Sequence, residues 1–103
     1  MARAPAKHEK QLSWTPSALA EYERTLSYIA HDDPLTAEKV KDRTERALAS
    51  VLAFPHIGAP GARRGERRLP IPNTGHVLNY RVLRSEIRIQ SWYRARRRPP
   101  AGK

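Results

Sequence analysis

Residues 65–98 read GERRLPIPNTGHVLNYRVLRSEIRIQSWYRARRR, and a period of two runs through this stretch three times. Leu69 and Ile71 alternate with Arg68 and Pro70; Leu78, Tyr80 and Val82 alternate with Asn79 and Arg81; Ile87 and Ile89 alternate with Arg88 and Gln90. Successive side chains of a strand point to opposite faces, so each segment reads as a half-buried strand, over about 66–71, 76–83 and 86–92. Pro72-Asn73-Thr74-Gly75 and Arg84-Ser85 supply the turns between them. Proline within the first segment places it at a sheet edge. The pattern predicts a meander with one apolar face and one face carrying arginines.

Upstream, HIGAPGARRG (56–65) is rich in Gly and Pro and reads as a loop. Before it lie two helical patterns. Thr15-Pro16 is an N-cap followed by proline at the first helical position, and Leu19, Tyr22, Leu26 and Ile29 then recur at steps of three and four. Asp32-Asp33-Pro34 ends this helix, and a second follows over about 35–53 with Ala37, Val40, Thr44, Leu48 and Val51 on one side. Tyr22 and Tyr28 are expected to pack between helices, and His31 and His56 to lie in loops. Gln11 to Thr15 is short enough for a first strand. The expected fold is α+β: an antiparallel helical hairpin packed on one face of a small, mainly antiparallel sheet in the order β-α-α-β-β-β. Residues 1–10 read as a flexible leader, 11–93 as one domain and 94–103 as a basic tail.

The net charge of +10 is concentrated in the C-terminal part. Residues 60–103 carry 12 basic side chains against Glu66 and Glu86, whereas residues 1–59 carry eight of each sign. Such a chain seeks an acidic partner, whether nucleic acid, ribosome or an acidic protein segment. The basic residues lie in strand-like sequence rather than along one face of an amphipathic helix, which argues against a membrane surface. No cysteine is present, and His8, His31, His56 and His76 show no ligand spacing, so neither a metal nor another cofactor is expected. No apolar run approaches the ~18 residues of a membrane span, and a cytoplasmic location is the expectation.

WTPSALAEYERTLSYIAHDDPLTAEKV, FPHIGAPGARRGERRLPIP and HVLNYRVLRSEIRIQSWYRARRRP, in this order and spacing, resemble the RelE/ParE superfamily of toxins from type II toxin–antitoxin modules, in the plasmid stabilisation subgroup. The resemblance implies a small toxin neutralised by a cognate antitoxin. It implies one of two activities: members similar to RelE enter the ribosome and cleave mRNA, and members similar to ParE poison DNA gyrase without nuclease chemistry. Carried over by position, the nuclease pattern falls on Arg67, Arg81, Tyr93 and Arg96. Arg68 stands where a glutamate is usual and Tyr93 where many members have histidine, which removes two groups suited to proton transfer.

Metal-free RNA cleavage needs a 2′-hydroxyl deprotonated, a phosphorane stabilised and a leaving oxygen protonated. Arg67, Arg81 and Arg96, if gathered on one face, would clamp the phosphate through bidentate guanidinium contacts, with Tyr93 as acid or base. Arg63, Arg64, Arg68, Arg88, Arg94, Arg97 and Arg98 are candidates for phosphate contacts, and Trp92 for stacking on a base. Tyr93 shares parity with Ile87 and Ile89, so it is a core residue unless a bulge intervenes, and Trp92 is then the outward one. The expectation is therefore an mRNA endoribonuclease acting in the ribosome. The rivals are a gyrase-binding toxin and a domain that only binds antitoxin or nucleic acid.

Overall fold

The computed structural model describes residues 10–95. Strand β1 (Gln11–Trp14) leads into helices α1 (Pro16–Asp32) and α2 (Pro34–Ala53), followed by strands β2 (Ala59–Pro60), β3 (Glu66–Ile71), β4 (His76–Val82) and β5 (Glu86–Arg94). The two-residue β2 lies inside the stretch read as loop, too short to leave an alternating signature. It pairs with β3 through Ala59–Arg68 and Pro60–Arg67. The sheet order is β1-β5-β4-β3-β2, with β1 parallel to β5 and every other pair antiparallel. The first strand thus lies beside the last, and the helical hairpin crosses one face of the sheet.

Local signals set the helix ends. The Thr15 hydroxyl accepts from the Ala18 N–H at 3.2 Å, and Pro16 occupies a position whose N–H would be unpaired in any case. Asp33 serves both helices. Its N–H closes α1 on the Ile29 carbonyl at 2.8 Å, while its carboxylate accepts from the Thr36 N–H at 3.3 Å and the Thr36 hydroxyl at 2.6 Å. Those bonds hold the Asp33 carboxyl below its ordinary pKa.

The core joins Ala18 of α1 and Val40, Leu48 and Val51 of α2 to Ile71, Leu78, Tyr80, Ile87, Ile89 and Trp92 of the sheet, with Leu12, Trp14 and Tyr22 packed at its margin. Of the expected α1 stripe Tyr22, Leu26 and Ile29 pack against the core, joined by the buried Ala18, whereas Leu19 lies at the surface; Tyr28, expected to pack, is 77% exposed. His31 belongs to the last turn of α1 rather than to a loop. Thr44, fully buried, donates to the Val40 carbonyl one turn back at 2.8 Å.

The register of β5 changes partway. Asn79 pairs with Ser91 but Tyr80 with Ile89, so Gln90 is an extra residue, a β-bulge. Before it, Ile87 and Ile89 face the helices; after it, Trp92 does. Trp92 is 3% exposed, its indole N–H donating to the Thr25 hydroxyl at 3.0 Å, and Tyr93 faces solvent. The expected assignment of these two side chains is reversed, because one inserted residue inverts the parity of every residue beyond it.

Candidate functional site

Tyr80 positions the loop that borders the basic region. Its ring is fully buried, its hydroxyl donates to the Pro55 carbonyl at 2.7 Å and accepts from the Gly58 N–H at 3.0 Å. Burial pushes the phenol above its ordinary pKa, with the Gly58 N–H and the Arg67 charge acting the other way. Gly58 is required by space. A Cβ there would stand 2.9 Å from the Arg68 carbonyl and from the Tyr80 hydroxyl.

Arg67 pairs with Tyr80 across the sheet and so projects on the helix-facing side, with the parity of Leu69 and Ile71. Its Nη1 donates to the Gly58 carbonyl at 2.8 Å and the His56 carbonyl at 3.2 Å. Together with Arg63, Arg64, His56, Pro60 and Val82 it lines a cleft of about 350 Å³ beside the 61–65 turn. Gly65 makes that turn with φ +80°, in the left-handed region that glycine favours.

Arg81 projects to the other side, away from the helices. By cross-strand pairing that open face carries Glu66, Arg68 and Pro70 of β3, Val77, Asn79 and Arg81 of β4, and Arg88, Ser91 and Tyr93 of β5. The expected gathering of Arg67 with Arg81 is therefore not found: the two occupy opposite faces. Arg94, two residues beyond Trp92, shares the helix-facing parity and lines a groove against α1, so it too is absent from the open face. Arg96, Arg97 and Arg98 lie outside the described residues.

On the open face, Tyr93 stands opposite Val77 and its hydroxyl reaches Asn79 Oδ1 at 3.4 Å. Asn79 is two residues from Arg81, about 7 Å along the strand, so hydroxyl, amide and guanidinium form one row. Among the described residues Arg68 and Arg81 form no ion pair. Arg88 does: its Nε is 2.9 Å from Glu86 Oε2, which also accepts from the Ser13 hydroxyl at 2.6 Å. These two bonds hold the Glu86 carboxyl below its ordinary pKa, the Ser13 contribution being the larger. Glu66 Oε1 accepts from the Arg63 N–H at 3.3 Å. Glu86 is thus ion-paired with Arg88, whereas Glu66 is bonded to a neutral N–H and keeps its charge opposite Arg81, so Arg68 and Arg81 leave this face net cationic against that one carboxylate. Trp92, expected to stack on a base, is closed off in the core.

Asn79 and Ser91 are uncharged polar residues of the open face that the sequence did not single out as candidates. A polar residue on the parity of Arg81 was the available signal for Asn79, and Ser91 had none until the bulge was known. Among the described residues no group of three or more His, Asp or Glu side chains is placed to hold a metal, and no helix is long and apolar enough to cross a membrane.

Residues 12–98 match the family described as ParE toxin of the type II toxin–antitoxin system parDE. The inferred toxin Y4kP of Sinorhizobium fredii is 31% identical over 75 residues, covering 73% of this chain and 78% of the relative. Among solved structures, the chromosomal ParDE system of P. aeruginosa superimposes with a TM-score of 0.74 at 22% identity, covering 87% of this chain and 100% of that one. The intact E. coli RelBE toxin–antitoxin complex gives a TM-score of 0.61 at 20% identity, over 85% of this chain and 99% of that one. The shared architecture is a helical hairpin on a mainly antiparallel sheet.

Proposed function

The chain belongs to the ParE toxin family of type II toxin–antitoxin systems, within the RelE/ParE superfamily, and from that premise we propose that it inhibits growth by binding its target rather than by cutting RNA. The target that likeness to ParE implies is DNA gyrase. The observation that carries this reading is the division of the arginines between the two faces of the sheet. Arg67 spends its guanidinium on two loop carbonyls on the helix side, while Arg81 stands on the open side. A nuclease of this type requires its cations to converge on one phosphate with an acid and a base in reach. Here the nearby carboxylates Glu66 and Glu86 already accept hydrogen bonds, and among the described residues no histidine shares the open face. Arg68 and Arg81, with Arg63 and Arg64 at the rim, suit contacts to an acidic protein or to DNA phosphates.

A second reading, ribosome-dependent mRNA cleavage, is favoured by the row of Tyr93 hydroxyl, Asn79 and Arg81, which could hold a phosphate beside a proton donor. Both readings take a cognate antitoxin as partner. Induced expression, with DNA and protein synthesis followed separately, tests the choice. An SOS response with intact messages supports gyrase. A rapid stop of translation, with messages cut within codons, refutes the binding-only reading.

A further inference from the structure

The last turns of α2 and the loop that follows present an uncharged surface in otherwise cationic surroundings. Residues 47–57, ALASVLAFPHI, contain no acidic and no permanently charged side chain. Ala49, Ser50, Ala53 and His56 are exposed, and so are two large apolar side chains, Phe54 at 66% and Ile57 at 46%. Ala53, Phe54, Pro55, His56 and Ile57 line a hollow of about 380 Å³. Basic side chains border it on both sides. Arg43 and Arg46 lie three and two turns back along α2, and His56 also lines the cleft that carries Arg63 and Arg64.

The loop is held still from below. The core residue Tyr80 accepts from the Gly58 N–H at 3.0 Å and donates to the Pro55 carbonyl at 2.7 Å. The Phe54 N–H closes α2 on the Ser50 carbonyl at 2.8 Å, and the Ile57 N–H reaches the Phe54 carbonyl at 3.1 Å. A backbone fixed before its partner arrives loses little entropy on binding, so affinity is gained where apolar side chains are presented in this way. Aromatic and aliphatic anchors enclosed by a polar rim carry most of the binding energy of protein interfaces.

The basic border selects the occupant. A protein surface with an apolar centre ringed by carboxylates matches both parts. A second copy of this chain does not, since each carries +10 and a two-fold contact would bring Arg63 and Arg64 of both copies together. The surface also runs on to the open face: Ala59 is exposed and pairs with Arg68, so a partner that covers Arg68 and reaches around the two-residue β2 meets Ile57 and Phe54. We propose that Phe54 and Ile57 are the apolar anchors by which the chain grips its protein target, the hollow at their base taking an apolar side chain and Arg63 and Arg64 steering the encounter. The proposal rests on the target-binding reading and adds the surface on which the affinity resides.

The test is binding of the full chain to purified DNA gyrase, followed by biolayer interferometry for wild type, Phe54→Ser/Ile57→Ser, the conservative Phe54→Leu/Ile57→Val and the control Leu35→Ser. Leu35 is 74% exposed and lies about 28 Å away at the other end of α2. The serine variant is expected to bind at least about 10-fold more weakly through faster dissociation, while the conservative variant and the control stay within about 3-fold of wild type. Its thermal midpoint is expected within about 4 °C of wild type, and a larger fall means that the two side chains serve the fold and the proposal is wrong. Arg63→Glu/Arg64→Glu is expected to slow association at least about 5-fold with dissociation little changed, and an unchanged association rate overturns the acidic rim. Gyrase binding that the serine variant retains overturns the proposal and leaves the gyrase reading standing. Equal weakening by Leu35→Ser overturns it too, since the effect is then one of surface hydrophobicity in general. A serine variant that loses affinity for the antitoxin of the adjacent reading frame but not for gyrase, or a wild-type dimer that the serine variant dissociates in sedimentation, assigns the loop to another occupant and refutes the proposal. Failure of the wild type to bind gyrase overturns the gyrase reading and the proposal with it.

Discussion

Replacing Arg67 with alanine is expected to lower stability while sparing toxicity, and replacing Arg81 to do the reverse. The magnitude for Arg67 follows from its two bonds. The one to the Gly58 carbonyl is 2.8 Å long and partly buried, and hydrogen bonds to charged groups of that kind contribute about 1.5–3 kcal/mol. The one to His56 is longer, at 3.2 Å, and exposed, so it adds little. A loss of about 2 kcal/mol is expected, which in a domain of this size lowers the thermal midpoint by roughly 10 °C. Arg81 forms no ion pair among the described residues, and its removal is expected to change stability by no more than about 0.5 kcal/mol. Urea unfolding followed by Trp14 and Trp92 fluorescence measures the stabilities, and colony formation after induction measures toxicity. If Arg67→Ala proves as stable as wild type and non-toxic, Arg67 acts on a ligand, and the division of labour between the two faces is wrong.

Gly58→Ala is expected to destabilise by about 1–3 kcal/mol, because the nearest obstacle is the Arg68 backbone, which cannot swing aside; a urea midpoint equal to wild type would refute the contact. Deleting Gln90 removes the extra residue, so Ser91 follows Ile89 and the pairs Asn79–Ser91, Leu78–Trp92 and Val77–Tyr93 continue in unbroken alternation. Trp92 is expected to stay buried with its emission unchanged, and a red-shifted emission would contradict the bulge. His76 gives a pH signature. Its folded pKa lies below its unfolded one, near 6.5, so the unfolded chain takes up a proton first, and stability falls as pH drops from about 6.5 towards the folded value. His76→Gln is expected to flatten that slope between pH 7.5 and 5, as measured by urea unfolding at each pH.

Much of this architecture was legible because periodicity and punctuation agree. Thr15-Pro16 and Asp33-Pro34 mark both helix starts in the chain and in the fold. Strands 66–71 and 76–82 follow from alternation alone. The parity of Arg67 was legible as well, since it matches Leu69 and Ile71, and a face assignment made residue by residue separates it from Arg81. What periodicity could not supply was the bulge at Gln90, because a bulge depends on pairing with β4, a relation between distant residues. Nor could it supply β2, which consists of two residues held by β3. Tyr28 was expected to pack, yet it lies off the stripe of Tyr22, Leu26 and Ile29 and on the rim of a groove, so the helical period itself already separated it from the core face.

The bulge also governs how the chemistry is divided. Without it Tyr93 would be a core residue, and Trp92 would take its place on the open face. With it, the stack of Trp14, Tyr22, Trp92 and His76 is completed under α1, with centroids 4.8 to 5.1 Å apart, and Tyr93 is released to the side of Arg81. Arg94 is carried to the helix side by the same step, which is why it lines the groove against α1 with Arg24 rather than joining Arg81. One inserted residue therefore supplies both the hydroxyl of the open face and the second cation of the groove.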